Sequence, residues 1–317
     1  MSVLKSNTNA IRIFLNPYCN YGKSASRWEK VKEELRNRIG KFQTEEILSP
    51  DEIVFQVSKA LKNGEDMFIA AGGDGTVNLL LNTIMKLSDN PHLTIGAVGL
   101  GSSNDFHKPF RPEASINGVP VRIDFKNAFP CDVIRIDYQD IQGHLKTRFC
   151  LLNASIGITA EGNAIFNSHL IFLRMLQKIS TKVAITAAAL KAVFSYHNIS
   201  CQLTVNNGEE QEFFVTNLGI IKNPHFTGSL CYDTPIEPDD GKLGINICMD
   251  LSLFERIGML IALYNHHFQG RPKTKSWMAT RLSVKSKQVF ALEMDGEVIH
   301  TKSAKFNIIP MRVRCCR

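Results

Sequence analysis

The feature that most constrains this chain is a change of rhythm near residue 120. Before it, short apolar runs alternate with longer stretches of helical periodicity, the pattern of a parallel α/β sheet. Residues 11–15 read as a strand closed by Asn16-Pro17, 26–39 as a helix stopped by Gly40, and 51–63 as a second helix ended by Gly64. Residues 67–71 read as a buried strand, 76–87 as a helix, and 93–98 as a strand running into Gly99-Leu100-Gly101-Ser102-Ser103-Asn104-Asp105. Beyond residue 120 the segments are short and alternating: 133–138, 146–152, 201–205, 212–218, 244–249, 281–284, 289–294 and 304–309. Turn signals at Asn206-Asn207-Gly208, Asp239-Asp240-Gly241 and Asp295-Gly296 separate several of them, which predicts an antiparallel sandwich or barrel. Helical patterns interrupt it at 170–196 and 253–266. The expected fold class is therefore α/β plus β. A Rossmann-like three-layer α/β domain spans 1–125 and an antiparallel β-sandwich spans 126–307, with 308–317 a candidate to return to the first domain.

Between the strand at 67–71 and the helix at 76–87 stands Gly72-Gly73-Asp74-Gly75-Thr76. A strand, a glycine loop and a helix start place backbone N–H groups and the positive helix end where phosphate oxygens can sit. Side chains at the glycines would block that approach. Asp74 would repel a phosphate unless a divalent cation lay between them, which points to magnesium. The plainer alternative is an ordinary Asp74-Gly75 turn with Thr76 capping the helix.

Continued through Val77-Asn78, this string resembles the nucleotide motif of the diacylglycerol kinase catalytic family, which includes sphingosine and ceramide kinases. Asn16-Pro17 with Gly22-Lys23 is similar to the family's N-terminal phosphate and adenosine loop, and Gly101-Ser102-Ser103-Asn104-Asp105-Phe106 to its Gly-Thr-x-Asn-Asp-Phe segment. Cys131-Asp132-Val133, Asn153-Ala154-Ser155-Ile156-Gly157, the turn 238–243 and Met294-Asp295-Gly296-Glu297 match later motifs in the family's order. Ser102 and Ser103 depart from the Thr-containing pair, although Ser102 keeps a hydroxyl.

The resemblance implies a lipid kinase that moves the γ-phosphate of ATP to a lipid hydroxyl, with diacylglycerol or a related lipid as acceptor. ATP would be bound by Asn16, Pro17, Gly22, Lys23, Gly72, Gly73, Asp74, Gly75, Thr76, Asn78, Gly101, Ser102, Ser103 and Asn104. Asp74, Asp105 and Asp132 would organise magnesium, and Glu297 would be the general base that takes the hydroxyl proton, with Asp74 beside it in catalysis. Glu293 is expected on the same strand face as Glu297. A second, structural magnesium would be held by Asp240 with the backbone carbonyls of Glu237 and Lys242. Taken alone, Glu297 reads more readily as a solvated residue at a hairpin end, an order that the resemblance reverses, and Asp239-Asp240-Gly241 also makes a good turn without metal. The acceptor is expected in the cleft between the domains. The stripe Leu170, Ile171, Phe172, Leu173, Met175 and Leu176, with Arg174, Lys178, Lys182 and Lys191, could line a lipid entrance or pack on the sandwich.

Charge and composition narrow the partners. Lysine and arginine number 37 against 30 acidic residues, a net charge of +7, which suits an anionic partner without naming one. The basic residues are scattered, so nucleic acid is not expected. Residues 1–10 lack the apolar core of a signal peptide, and the most apolar stretch, 183–190, is far short of the ~20 residues a spanning helix needs. A cytoplasmic protein with peripheral membrane contact is expected, and a homodimer is open. None of the eight cysteines shows C-x-x-C spacing, so reduced thiols are expected, with Cys315-Cys316 at a frayed end. The rival readings are a kinase of a soluble acceptor such as NAD, and a non-catalytic lipid- or nucleotide-binding protein. Asn104-Asp105-Phe106 and Asp295-Gly296-Glu297 argue for the lipid over NAD, and the presence of Asp74 and Glu297 argues against loss of catalysis. A dinucleotide oxidoreductase lacks support because Gly-x-Gly-x-x-Gly does not follow the first strand.

Overall fold

The computed structural model describes residues 10–108, 114–168, 175–176, 180–227 and 229–317. The chain divides into two compact units: Met1–Cys131 with Arg312–Arg317, and Asp132–Met311.

Unit 1 is built on four parallel strands in the order β2-β1-β3-β4, with β1 Ile11–Leu15, β2 Phe42–Glu46, β3 Met67–Gly72 and β4 Thr94–Gly99. The helices α1 (Lys23–Ile39), α2 (Pro50–Lys62) and α3 (Asp74–Leu87) connect them. Every residue of β1 is buried, and the period of two decides where each goes. Ile11, Ile13 and Leu15 pack with Trp28, Val31 and Leu35 of α1, while the Phe14 ring lies 6.0 Å from that of Phe68. β2 escapes a sequence reading because Phe-Gln-Thr-Glu-Glu has no apolar run; it exists through its edge pairing with β1, Ile11 against Phe42. β5 (Ser115–Ile116) and β6 (Val119–Arg122) form a small hairpin whose β6 runs antiparallel to β4. The chain end is not frayed. Arg314 and Cys315 pair in parallel with Thr94 and Ile95, and both Cys315 and Cys316 are buried. All eight cysteines are free thiols.

Unit 2 is the β-sandwich. Its strands are β7 (Phe129–Gln139, from Asp132 onward), β8 Leu145–Cys150, β9 Asn153–Gly157, β10 Ile199–Val205, β11 Gln211–Ile221, β12 His225–Phe226, β13 Leu230–Cys231, β14 Leu243–Met249, β15 Thr274–Ala279, β16 Arg281–Met294 and β17 (Glu297–Cys315, as far as Met311). Pairings run β15-β14-β11-β10-β16-β17, all antiparallel, and β7 joins β17 to β8. Ile134, Ile136, Ile156, Leu218, Ile245, Leu292 and Phe306 are among the buried residues of its core. The two expected segments 281–284 and 289–294 are one strand, β16, whose register shifts between Lys285 and Phe290.

The motif at 153–157 is a strand, β9, wedged between the far halves of β11 and β16. β10 pairs with residues up to Val215 of β11, and β9 takes over from Asn217 to Ile221. On the other side β9 pairs with Leu292, Glu293 and Met294. Gly157 ends it at φ +100°, where a Cβ would collide with the carbonyl of Thr216, so only glycine fits. Helix α4 (Ile158–Asn167) follows directly, and α5 (Thr181–Ser195) packs on it. The expected continuous helical pattern at 170–196 is therefore described as helix only from Thr181, apart from residues 175–176. Helix α5 buries Ala184, Ala188, Ala192 and Val193 while Val183, Leu190 and Phe194 stay exposed. Leu170, Ile171, Phe172, Leu173, Arg174 and Lys178 of the expected lipid entrance, and the side chain of Lys182, lie outside the described residues. Helix α6 (Leu253–Tyr264) opens with a capping box between Ser252 and Glu255. Among the described residues no helix is long and apolar enough to cross a membrane.

Candidate active site

In unit 1 the glycine loop and the loop after β4 are pressed together. A Cβ on Gly72 would collide with the Thr76 side chain, and one on Gly101 would stand 2.5 Å from the Cα of Gly73. These glycines are required by the packing of the chain itself. Gly75 is not, since a Cβ there would meet nothing within 4 Å. Among the described residues nothing fills the space beside Gly75 in the first turn of α3.

Helix α3 begins at Asp74 rather than at Thr76, and its N-cap, Gly73, offers no side chain to the first amides. Thr76 accepts from Asn16 Nδ2 at 3.3 Å and donates its backbone N–H to the Gly73 carbonyl at 2.9 Å. Asp74 Oδ1 accepts the amide of Phe106 at 2.9 Å, which ties the helix start to the turn Asp105–His107. Asp105 is buried, and its Oδ1 pairs with Lys108 Nζ at 2.6 Å. Two of the expected magnesium ligands, Asp74 and Asp105, are therefore carried on adjoining segments. Asn104 sits at φ +53° and donates to the carbonyls of Gly99 and Gly101, each at 3.2 Å. Its Oδ1 and the Oγ of Ser103 are closed off from solvent with no hydrogen-bond partner among the described residues, while Ser102 is exposed. Uncommitted polar atoms beside an open glycine turn fit a polar ligand such as a nucleotide.

The N-terminal part of the expected nucleotide site is arranged as a turn and a helix start. Asn16 Oδ1 accepts the Tyr18 amide at 3.1 Å, Gly22 takes φ +79° as N-cap of α1, and Lys23 is the first, exposed residue of that helix. Asn78 is buried one turn into α3, where Asn82 Nδ2 donates to its Oδ1 at 3.0 Å. Two neighbours escaped the sequence reading. Arg27 on α1 donates to the carbonyls of Leu100 at 3.1 Å and Gly101 at 2.8 Å, and burial pulls its guanidinium below the usual range against the effect of Cys19. Burial pushes the Cys19 thiol up, offset in part by Ser24 and the Gly73 backbone. An arginine in an amphipathic helix and a lone cysteine carry no local signal of such roles.

In unit 2 the late motif residues are also gathered, chiefly by carboxylates that accept backbone amides. The Asp295 carboxylate is buried and receives the N–H groups of Leu151 (3.0 Å), Leu152 (3.2 Å) and Asn153 (2.9 Å). Glu293 accepts from Ser155 Oγ at 2.8 Å and from the Gly296 amide at 2.6 Å. Asn153 Nδ2 donates to the His225 carbonyl at 2.8 Å, and Asn167 Nδ2 to that of Gly296 at 3.1 Å. The result is a pinned hairpin, Asp295 at φ +46° and Gly296 at φ +95°, with Glu297 exposed as the first residue after it. Glu293 does not share a strand face with Glu297 in the expected way: the turn falls between them, and Glu293 stands opposite Val298 on the partner strand.

The third expected magnesium ligand, Asp132, lies in unit 2 with its side chain fully buried. Its Oδ1 accepts the Met311 amide at 2.9 Å, and its Oδ2 accepts the Gly241 amide at 2.7 Å and the Lys222 ammonium at 2.8 Å. The same ammonium reaches Asp240 Oδ1 and the carbonyls of Glu237 and Lys242. Lys222 was not visible as a site residue in the sequence. The available signal is a lysine directly after the apolar run 218–221, a position from which a strand end points inward. Among the described residues no group of three or more His, Cys, Asp or Glu side chains is placed to hold a metal.

An α/β unit with a paired-glycine loop at a helix start, joined to a β-sandwich whose motif strands are locked by carboxylates, is the two-domain arrangement that the sequence motifs lead one to expect of a kinase. Residues 10–136 match the Diacylglycerol kinase catalytic domain family and residues 154–317 the YegS C-terminal NAD kinase beta sandwich-like domain. The chain belongs to this family of YegS-like and diacylglycerol kinase-like lipid kinases. A relative from Stenotrophomonas maltophilia named "Probable lipid kinase YegS-like" is 24% identical over 335 residues, covering 96% of this chain and 94% of the relative. A "Diacylglycerol kinase" from Staphylococcus epidermidis is 38% identical over 71 residues, 22% of each chain. The crystal structure of a diacylglycerol kinase from Bacillus anthracis matches with a TM-score of 0.65 at 14% identity over 98% of each chain, a likeness of fold.

Proposed function

We propose that this chain transfers the γ-phosphate of ATP to the hydroxyl of diacylglycerol or a closely related lipid, with magnesium. The observation that carries the reading is the turn Gly73-Asp74-Gly75. It has an uncapped helix start, a glycine that no internal contact requires, and an acid fixed by the Phe106 amide. Phosphate oxygens are the natural ligands of such a helix start. Asp74 and Asp105 fit magnesium, which is commonly held by one or two carboxylates and substrate phosphates while keeping several waters. When bound, that ion neutralises charge on the transferring phosphoryl group.

The chain's own residues would then divide the work. The α3 amides and the Gly101–Asn104 loop hold the triphosphate, and Asn16 and Lys23 border it. Glu297, at the head of its pinned hairpin, accepts the proton of the lipid hydroxyl as that oxygen bonds to the γ-phosphorus and the bond to the β-phosphate oxygen breaks, leaving ADP. The experiment is transfer from labelled ATP with magnesium to a panel of diacylglycerol, monoacylglycerol, ceramide, sphingosine, phosphatidylglycerol and NAD. Label is expected in a glycerol-based neutral lipid, falling at least ~100-fold in Glu297→Gln and to background in Asp74→Ala. Label in NAD alone, or a fully active Asp74→Ala enzyme, would sink the proposal.

A further inference from the structure

The family resemblance points to a structural magnesium at the turn 237–242, held by Asp240 and the carbonyls of Glu237 and Lys242. In this chain those three oxygens converge on a nitrogen instead. Lys222 Nζ lies 2.7 Å from Asp240 Oδ1, 2.6 Å from the Glu237 carbonyl and 3.0 Å from that of Lys242, with Asp132 Oδ2 completing the set at 2.8 Å. The Lys222 side chain is 1% exposed and that of Asp132 0%. These are N–H···O separations; magnesium would draw its oxygens to roughly 2.0–2.1 Å, and calcium to roughly 2.3–2.6 Å. An ammonium has three hydrogens for four acceptors, so one is shared, and no room is left for a second cation inside the shell.

We propose that Lys222 is a built-in replacement for the divalent cation at this turn, so that the sandwich unit is held together without a metal. The chemistry of the shell supports this. Two carboxylates and two carbonyls form a cation site by any reckoning, and the tethered ammonium neutralises one of the two charges. It also fastens separate parts of the chain. Besides its bond to Lys222, Asp132 accepts the amides of Met311 and Gly241, and its own N–H donates to the Pro238 carbonyl at 2.8 Å. Removing the ammonium would leave two carboxylates facing each other with charge −2, which is the vacancy a divalent ion fills. The inference does not rest on the lipid-kinase reading, because it concerns stability and not transfer.

The test is thermal unfolding of the full chain in EDTA, in millimolar magnesium and in millimolar calcium, for the wild type, Lys222→Ala and the double variant Lys222→Ala/Asp240→Asn. The wild type is expected to melt at one temperature in all three. Lys222→Ala should melt on the order of 10 °C lower in EDTA, the usual consequence of leaving buried charge unpaired in a chain of this size. It should recover part of that loss with either divalent ion, and the double variant should recover none. A wild-type melting temperature that rises with divalent ion, and still rises in Asp74→Ala, would overturn the proposal. So would a Lys222→Ala chain that loses no stability, or one that loses it and gains nothing from either ion. If Lys222→Ala does not fold, the wild-type comparison and the metal content of the purified protein decide: a stoichiometric divalent ion retained by Asp74→Ala refutes it.

Discussion

The acidic motif residues of the two units are held in opposite ways. In unit 1, Asp74 accepts the amide of Phe106 and Asp105 pairs with a part-exposed lysine, both beside a glycine turn where a Cβ on Gly75 would meet no atom of the described residues within 4 Å. In unit 2, Asp132, Glu293 and Asp295 receive backbone amides, a serine hydroxyl and an ammonium from within the fold. Similar Asp-Gly strings therefore serve two ends. Carboxylates surrounded by their own chain's donors build structure, whereas under the proposed function those beside the exposed glycine turn serve the chemistry. Unlike Asp132, Glu293 and Asp295, Glu297 is exposed, and its neighbours hold the turn that presents it.

That contrast is broken most directly by exchanging stability for activity at two aspartates. Asp295→Ala strands three consecutive buried amides and is expected to cost about 4 kcal/mol in urea unfolding, with Asp295→Asn recovering part of it. Asp74→Ala removes the acceptor of the Phe106 amide at a part-buried position and should cost less, about 1–2 kcal/mol, while abolishing transfer. Equal stability losses in the two alanine variants would mean that Asp74 is as structural as Asp295.

A smaller effect separates the glycines of the loop 72–75. Gly72→Ala drives a methyl group into Thr76 and should destabilise the chain by about 1–3 kcal/mol. Gly75→Ala meets no atom of the described residues within 4 Å, lies inside the first turn of α3, and should leave the fold as stable as before or up to about 1 kcal/mol more so. Under the proposed function its methyl group intrudes on the phosphates, so the KM for ATP should rise about tenfold, the size of one lost contact. A Gly75→Ala enzyme with unchanged KM would return that glycine to an ordinary turn residue.

Much of this fold is legible in the sequence, for identifiable reasons. The strands β1, β3 and β4 announce themselves because they are buried on both faces, and β2 does not because it is an edge strand of polar residues. In unit 2, hairpin turns such as Asp295-Gly296 mark the strands on either side, but β9 hides because the run Asn-Ala-Ser-Ile-Gly alternates too weakly, and its place is fixed by two long-range neighbours. The glycine loop could be read locally since strand, loop and helix are contiguous. Lys222 could not, because its four partners come from residues 132, 237, 240 and 242, and only the folded sheet brings them to one point.

The smallest expected effect concerns acid, and it sharpens the same contrast. Burial, with the nearby charge of Arg122, pulls the His107 imidazole from 6.5 down to about 3, and its Nδ1 is closed off without a partner among the described residues. A group whose folded pKa is depressed gives stability that is present above its unfolded pKa and lost as pH falls toward the folded one. Unit 1 should therefore begin to weaken below about pH 6.5. Burial alone would raise the Asp240 carboxyl, but Lys222 and the amides of Lys242 and Glu237 hold it below its ordinary 3.8. Its contribution is present above that value and lost only as pH falls further. The two tryptophans report on the units separately, Trp28 on α1 and Trp277 on β15. In the single-tryptophan variants Trp277→Phe and Trp28→Phe, emission from Trp28 should respond to urea more readily at pH 5 than at pH 7, and emission from Trp277 should not. Adding His107→Gln should remove most of the Trp28 difference. If the Trp277 signal moves first, the acid sensitivity belongs to the sandwich, and the part-buried His107 is not its source.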